Sequence, residues 1–258
     1  MDRCAGGVKA FRTAFQIALR QQEMDDPLSG TPWSDAARVS GFAQSAPNQA
    51  LMEFAAAKRA GGAQRLLDIG CGAGRNAVPL VQQGWTVAAI DLSLGMLRAA
   101  QQRLDAEAPG QRLGLALSPM EQLPIAGESI DFIVAHGIWN LAQTTAQFRA
   151  AVLEAARVAR GGASLFVFTF SRSTLPDSDR PLPGERYVFT RFSGGPQIFV
   201  TVEELVEELA AAGFSPDPSV PLVEHNRRAQ GAVYVGGAPV FIEGAFCYSG
   251  KPSRAGLV

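Results

Sequence analysis

The sequence predicts an α/β fold in which helices cover both faces of a mostly parallel sheet. Short apolar runs that end at a glycine or an acid alternate with segments of helical periodicity from residue 50 onward. That alternation is typical of parallel strands joined by right-handed crossovers through helices. The chain has 258 residues, 47% of them hydrophobic, which is enough to build a continuous core.

Composition excludes several functional classes. The formal net charge of −1 gives no field that would gather nucleic acid or anionic lipid. Three cysteines, Cys4, Cys71 and Cys247, are far apart and show neither a disulfide framework nor metal-ligand spacing. No apolar run reaches the roughly 20 residues of a membrane span. We therefore expect a cytoplasmic protein with a small-molecule substrate, no metal and no membrane partner. Its oligomeric state is left open.

The central part of the chain is predicted to hold five strands and four helices. Each predicted strand is a short apolar run; the runs are 65–70, 85–91, 112–117, 129–137 and 163–170. The predicted helices are 75–84, 93–107, 145–159 and 201–214. Ser93 is placed to cap the second helix, and Thr201 and Glu204 have the spacing of a capping box for the last.

The two ends of the chain and one internal segment depart from this alternation. Apolar residues near the start, in 8–19, have helical spacing and predict an amphipathic helix. Residues 171–200 are rich in Pro, Ser and Gly and are predicted to be an insertion with a short hairpin. The segments 221–227 and 239–249 look like strands with no helix between them, and predict an antiparallel pair at one edge of the sheet.

The stretch "LLDIGCGAGRNAVPL" (66–80) carries the main functional signal. A strand, a glycine loop and a helix follow each other, which brings backbone N–H groups close to a ligand. A dinucleotide site would have G-x-G-x-x-G, whereas Gly70, Gly72 and Gly74 are spaced G-x-G-x-G and Arg75 follows. Asp68 at the end of the first strand would repel a pyrophosphate but suits an ammonium group.

A second acid, Asp91, ends the second predicted strand. A carboxylate at this place can accept hydrogen bonds from both hydroxyls of a ribose. Two acids and a loop for close approach, with no phosphate-binding group beyond the helix end, describe an adenosine-containing ligand that has an amino group and no phosphates. S-adenosylmethionine meets that description.

These motifs resemble those of the class I S-adenosylmethionine-dependent methyltransferases, in particular the small-molecule enzymes of types 11 and 25. The resemblance covers about residues 50–215 and is carried by "LLDIGCGAGRNA", by Asp91 in "AAIDLSLGML" and by the helix that follows. It implies a Rossmann-like sheet of seven strands whose last strand is antiparallel. It also implies S-adenosylmethionine as cofactor and S-adenosylhomocysteine as product.

The resemblance implies roles for individual residues. Those expected at the cofactor are Asp68, Gly70, Cys71, Gly72 and Gly74 at its methionine end, Asp91 at the ribose, and Leu92, Met96, Met120 and Glu121 around the adenine. In "SPMEQLPI" (118–125), Pro119 stands where these enzymes usually have an aspartate that binds the adenine amino group. The backbone of Met120 and the side chain of Glu121 are left as the adenine contacts there.

The resemblance also implies an N-terminal helical lid, residues 1–45, on a methyltransferase domain, 46–258. Trp33 and Phe42 would face the substrate from the lid, or would only pack its helices. The other expected substrate contacts are Trp139, Asn140 and Phe192. Phe192, together with Phe189 and Phe199, would form an apolar cap over the substrate, or only the small core of the insertion. His136 follows the fourth strand and is either a general base for a hydroxyl or thiol, or a residue that packs against the cofactor; packing is favoured.

Three functions remain open from the sequence. The first is methyl transfer to an O, N or S atom of a small molecule. The second is methylation of RNA, against which the neutral composition counts. The third is cofactor binding without transfer, which Pro119 suggests. The Asn/Asp-Pro-Pro-aromatic motif of enzymes that methylate amino groups is absent, because that position reads "HGIW" (136–139).

Overall fold

The computed structural model describes residues 26–190, 195–227 and 239–250. The predicted helix within 8–19, and Phe192, lie outside the described residues. The chain divides into two compact units, Met1–Pro119 and Met120–Val258. Each unit is described by itself below.

The described residues contain six α-helices and ten strands. The helices are α1 (Ala36–Ala43), α2 (Gln49–Ala60), α3 (Ala77–Gln82), α4 (Leu94–Glu107), α5 (Thr145–Val158) and α6 (Val202–Ala211). The strands are β1 (Arg65–Ile69), β2 (Thr86–Asp91), β3 (Gly114–Leu117), β4 (Ile130–His136), β5 (Ala159–Phe170), β6 (Val188–Phe189), β7 (Gln197–Ile198), β8 (Phe214–Pro216), β9 (Val223–His225) and β10 (Phe241–Tyr248).

In the first unit, β1, β2 and β3 are parallel, with β2 in the middle. β1 and β2 are paired in register from Arg65 opposite Thr86 to Ile69 opposite Ile90. Their carboxyl ends therefore meet at one edge, which is where open α/β sheets bind ligands. Asp68 and Asp91 both lie at this edge.

Helix termini of the first unit follow the predicted capping chemistry. The Ser93 hydroxyl accepts a hydrogen bond from the backbone N–H of Met96 and caps α4, as predicted. The Asn48 side chain caps α2 in the same way through the N–H of Leu51. Pro79 is tolerated in α3 because it lies in the first turn, where a backbone N–H has no partner within the helix.

In the second unit, β4 and β5 are parallel and β10 runs antiparallel to β5. The prediction that the last strand is antiparallel is confirmed. β9 pairs with β10, as the tail pattern predicted. The pair lies at the sheet edge, as predicted, because β9 lies on the side of β10 away from β5. The short strand β8, which was not predicted, pairs with the last residues of β10. "FSP" in β8 gave too short an apolar signal to predict a strand.

The insertion holds the short hairpin that the sequence predicts. β6 and β7 are antiparallel, with Val188 opposite Ile198. A small apolar cluster supports them, made by the buried side chains of Leu175, Phe189 and Phe199 and the partly buried ring of Phe170. Phe189 and Phe199 thus form the insertion's own core, the plainer of the two roles open to them from the sequence.

Candidate functional site

Asp68 is the most unusual residue of the glycine-loop region. Its side chain is 1% exposed, and its Oδ2 has no hydrogen-bond partner among the described residues. Burial raises the pKa of this carboxyl to about 7, against the opposing charge of Arg75 and with a further upward contribution from Asp91. Burying a carboxyl without a partner is costly. This one is therefore suited to a cationic ligand that supplies the missing hydrogen-bond donor.

The glycine loop turns tightly between β1 and α3. The backbone N–H of Cys71 donates to the carbonyl of Ile90 at 2.9 Å, which holds the loop against the end of β2. Gly74 has φ +78°, and a Cβ there would lie 3.1 Å from the Cβ of Ala100 on α4. Glycine is thus required both by the backbone conformation and by the close approach of the helix.

Asp91 is fixed by backbone hydrogen bonds to both of its oxygens. Oδ2 accepts from the N–H of Gly72 at 2.8 Å, and Oδ1 accepts from the N–H of Ser93 at 2.9 Å. Burial raises the pKa of Asp91, while these N–H groups and that of Leu92 act in the opposite direction. A carboxylate oxygen can accept more than one hydrogen bond, so ligand hydroxyls can bind an acceptor that is already oriented.

The described part of the predicted lid contacts this region. The Ser93 hydroxyl donates to the carbonyl of Trp33 at 3.0 Å. Phe42 approaches the loop, with its Cδ1 4.0 Å from where a Cβ on Gly72 would lie. The Trp33 and Phe42 rings are 6.1 Å apart, and both are half-buried. The two aromatic residues named from the sequence are thus at the glycine loop and at the start of α4.

Other predicted cofactor residues of the first unit are buried beside these groups. Cys71 and Met96 are 6% and 2% exposed. Burial raises the pKa of the Cys71 thiol well above its usual range, and the charges of Asp91 and Asp68 add to this. A thiol held neutral is a poor nucleophile. Cys71 therefore fits a packing role in the loop rather than that of a nucleophile.

In the second unit, Glu121 has one carboxylate oxygen in use and one available. Oε1 accepts from the side-chain amide of Gln147 at 2.9 Å. Oε2 is buried with no hydrogen-bond partner among the described residues. Its neighbour Met120 is buried. An uncommitted carboxylate oxygen is a suitable acceptor for an amino group such as that of adenine, whereas Pro119 offers no side-chain acceptor.

His136 is the last residue of β4, and its half-buried ring stacks on Phe168 of β5. The ring centroids are 4.3 Å apart and the planes are 3° from parallel. Phe168 stacks in turn on Phe241 of β10 at 4.4 Å. Phe168 and Phe241 were not predicted from the sequence as site candidates. The alternation in "LFVFTF" (165–170) does place Phe166, Phe168 and Phe170 on one face of the strand.

Trp139 and Asn140 form a short 3-10 turn just after β4. Trp139 is fully buried, and its ring meets Phe148 edge-on at 6.1 Å. The Nε1 of Trp139 and the Oδ1 of Asn140 have no hydrogen-bond partner among the described residues. Both side chains pack in the second unit and retain one unsatisfied polar atom, so their predicted contact with substrate stays a prediction.

Comparison with known proteins identifies the family. Residues 67–167 match the model of a family described as a methyltransferase domain, and this segment includes the glycine loop, Asp91 and His136. The chain carries a methyltransferase domain. The predicted resemblance to class I S-adenosylmethionine-dependent methyltransferases is confirmed.

Individual relatives agree with this assignment. A ubiquinone/menaquinone biosynthesis C-methyltransferase from Dinoroseobacter shibae is 33% identical over 181 residues, which are 68% of this chain and 63% of that protein. The chain spans less than two thirds of the length of this relative and of other curated relatives that it matches. None of the helices in the described parts of the chain has the length and apolar character to cross a membrane.

Solved structures confirm the predicted fold class. A SAM-dependent methyltransferase from Methanosarcina mazei superposes with a TM-score of 0.57 at 20% identity, covering 72% of this chain and 92% of the other. A 1,6-didemethyltoxoflavin-N1-methyltransferase from Burkholderia thailandensis, with bound 1,6-didemethyltoxoflavin and S-adenosylhomocysteine, gives 0.54 at 21% identity, covering 78% and 80%. The shared fold is the Rossmann-like, mostly parallel sheet expected from the strand and helix pattern.

Proposed function

We propose that this chain is an S-adenosylmethionine-dependent methyltransferase that acts on an O, N or S atom of a small-molecule acceptor. The observation that carries the proposal is the buried Oδ2 of Asp68, which has no hydrogen-bond partner among the described residues. The oriented carboxylate of Asp91 at the same sheet edge supports it, because the pair offers an ammonium acceptor and a hydroxyl acceptor without a phosphate site. The methyltransferase-domain match supports it independently.

The residues present fit the cofactor. Asp68 would bind its ammonium group, Gly70, Gly72 and Gly74 with Cys71 would let its methionine end approach the backbone, and Asp91 would bind the ribose hydroxyls. Leu92 and Met96 would flank the adenine, with the Met120 backbone and Glu121 Oε2 at its amino group.

When bound, the cofactor supplies a methyl group on a sulfonium, which is already a good leaving group. The chain's task is therefore to hold the acceptor in line and to exclude water. Trp33 and Phe42 are placed to exclude water at the glycine loop. A base is needed only for an acceptor that carries a proton at the working pH, and His136 is the candidate for that role.

Calorimetry with S-adenosylmethionine tests the proposal through its dependence on pH. Because the pKa of Asp68 is about 7, the carboxyl becomes neutral as the pH falls below this value and attracts an ammonium group less. The ligand's α-amino group has an ordinary pKa of about 8 and is largely protonated only below pH 7, so the comparison is made from pH 7 downward. Affinity is therefore expected to fall with decreasing pH, by up to about tenfold per unit below the pKa of Asp68.

Two variants with matched charge changes control this experiment. Asp68→Asn is expected to bind weakly and to lose the pH dependence. Asp105→Asn, on the exposed side of α4, is expected to behave as the wild type does. Tighter binding of NAD than of S-adenosylmethionine would contradict the proposal, as would a wild-type affinity that does not change with pH.

The alternatives are weighed against the same observations. Two of the three proteins named above are named for small-molecule acceptors and none for RNA, so methylation of RNA gains no support. Cofactor binding without transfer still rests on Pro119 alone, and an acceptor panel assayed with a binding-competent sample tests it. We also infer a cytoplasmic location from the three scattered cysteines. The division of the chain into a lid, residues 1–45, and a methyltransferase domain, residues 46–258, is part of the same proposal.

A further inference from the structure

Three half-buried rings lie side by side at one end of the second unit's sheet: His136 on β4, Phe168 on β5 and Phe241 on β10. We propose that these rings, called the aromatic row below, form the acceptor subsite and select an electron-rich planar aromatic acceptor. This inference rests on the proposed function, because it assigns the substrate class of the same enzyme.

The register of the strands puts these residues on one face. His136 pairs with Phe168 across the parallel β4–β5 ladder, and Phe170 pairs with Phe241 across the antiparallel β5–β10 ladder. Paired residues share a face, as do residues two apart on a strand. The row lies at the carboxyl ends of β4 and β5, the end of an open α/β sheet at which ligands bind.

The way the rings stack determines what they present to a ligand. The centroids of His136 and Phe168, and of Phe168 and Phe241, are 4.3 and 4.4 Å apart, with planes 3° and 30° from parallel. These separations are close to the spacing of neighbouring strands. The rings therefore stand upright on the sheet, with their faces against each other and their outer edges directed away from it.

Upright rings favour one kind of partner. The edge of an aromatic ring carries partial positive charge and its face partial negative charge, so edge-to-face contacts are preferred. A planar, electron-rich aromatic molecule that lies flat across the row contacts several edges with its face. The centroid separations of 4.3 and 4.4 Å limit the row from His136 to Phe241 to a length of just under 9 Å, which suits a fused two-ring molecule better than a single ring.

A polar pair borders the far end of the row. His225, the chain's other histidine, pairs in register with Phe241. Its Nε2 lies 3.3 Å from Oε1 of Glu243, whose side chain is 11% exposed, whereas that of His225 is 47% exposed. Glu243 is two residues from Phe241 and shares its face. An acceptor with a hydroxyl or amino substituent beside its rings can therefore hydrogen-bond at this end.

On this face of the sheet, the described aromatic side chains are partly exposed only at the strand ends. Phe166, two residues before Phe168 on the same face of β5, is fully buried. Phe170 contacts the insertion instead, through Phe199 at 5.4 Å with planes 22° apart. The rings lose full burial only toward the ends of the strands, where a substrate rather than the core would cover them.

The test compares two probes of one skeleton on the wild-type chain saturated with S-adenosylhomocysteine. 2-Naphthol is planar and electron-rich, and decahydro-2-naphthol has the same carbon skeleton and hydroxyl without a π system. Each edge-to-face contact changes binding by a few-fold, so several contacts together predict that 2-naphthol binds about tenfold more tightly or better. Equal affinity of the two probes, or no binding of 2-naphthol, overturns the proposal.

Substitutions test whether the aromatic row causes the preference for 2-naphthol. Phe168→Leu and Phe241→Leu remove the ring edges and keep an apolar side chain, and each is expected to reduce the preference to a few-fold or less. Tyr248→Leu, a half-buried ring at the other end of β10, is the control and is expected to keep it. A preference that survives both phenylalanine variants overturns the proposal.

Cofactor affinity measured in the same samples distinguishes a failure of the acceptor assignment from a failure of the proposed function. Tight binding of S-adenosylhomocysteine without a preference for 2-naphthol refutes the aromatic row and leaves the methyltransferase proposal standing. Absence of S-adenosylhomocysteine binding in the wild type refutes the proposed function itself, and the acceptor assignment with it.

Discussion

The backbone N–H of Gly72 donates a 2.8 Å hydrogen bond to Oδ2 of Asp91. This contact joins the glycine loop after β1 to the end of β2, so the group expected to bind the ribose also fixes the loop beside it. The N–H of Ser93 holds the other oxygen at 2.9 Å. The carboxylate therefore has one orientation before a ligand arrives, and little ordering remains to be done on binding.

Replacing Asp91 with Ala is expected to weaken S-adenosylmethionine binding strongly. The substitution removes a charged acceptor for two ligand hydroxyls, a loss of about 1.5–3 kcal/mol. This corresponds to roughly a tenfold to 150-fold higher dissociation constant by calorimetry. Asp91→Asn keeps one acceptor oxygen, so its affinity is expected to lie between those of the wild type and Asp91→Ala. An unchanged affinity in Asp91→Ala would remove the ribose assignment.

Asp68→Asn is expected to stabilise the protein at neutral and higher pH in the absence of ligand. The folded-state pKa of about 7 lies above the ordinary value of 3.8, so the folded state binds the proton more tightly than the unfolded state does. The stability that this group contributes is therefore greatest at low pH and falls as the pH rises from about 4 to 7. The full loss is about 4 kcal/mol.

Urea unfolding at pH 5 and pH 8 measures this effect. The difference in unfolding free energy between Asp68→Asn and the wild type is expected to grow in favour of the variant by about 2–3 kcal/mol between the two pH values. The corresponding difference for Asp105→Asn is expected to change little. A difference for Asp68→Asn that is the same at both pH values would show that the carboxyl titrates normally in the folded chain.

A pair of glycine variants separates backbone conformation from close packing. Gly74 and Gly110 have nearly equal positive φ angles, +78° and +81°, but a Cβ at Gly110 would meet nothing within 4 Å. Gly110→Ala is therefore expected to cost only about 1–2 kcal/mol of backbone strain. Gly74→Ala also forces the loop against Ala100, at a further cost of about 1–3 kcal/mol. Equal losses by urea unfolding would contradict the packing role of Gly74.

The arrangement of the proposed cofactor residues in the first unit was predictable from sequence because its signals are local. Asp68, the glycines and Asp91 lie at strand ends whose apolar patterns were clear, and parallel pairing brings such ends together. The caps at Ser93 and Thr201 were predictable for the same reason, since a capping interaction spans three residues.

The aromatic row of the second unit was less predictable because it depends on pairing between distant segments. Phe168 and Phe241 meet through the antiparallel β5–β10 register, and no local pattern specifies which residues will face each other. The strand β8 was not predicted, because its three residues end in a proline and resemble a loop. The hydrogen bond from Ser93 to the Trp33 carbonyl joins residues 60 positions apart and left no signal in the sequence.

Closure of the described lid segment, residues 26–45, is expected to show in hydrogen exchange. The Phe42 ring contacts the glycine loop, and hydrogen bonds from Ser93 to the Trp33 carbonyl and from Arg103 to the Ser45 carbonyl join the segment to α4. No residue of α1 is fully buried. Such a segment opens at low free energy. S-adenosylhomocysteine is expected to increase amide protection in 31–45 and to leave α5 unchanged. Equal protection of 31–45 with and without the ligand would indicate a fixed structural segment.

The role of His136 can be decided by a substitution that keeps its stacking. The ring lies 3° from parallel to Phe168 at 4.3 Å, so His136→Phe preserves the stack and removes the base, whereas His136→Ala removes both. If the ring packs, as we expect, His136→Phe retains most of kcat with any acceptor found, and His136→Ala loses a modest factor that pH does not restore. If His136 is a general base, both variants lose about 10²–10⁴-fold in kcat. Part of that loss then returns at high pH as the acceptor ionises, and cofactor affinity is kept. A hundredfold loss in His136→Phe with recovery at high pH would therefore overturn the packing role.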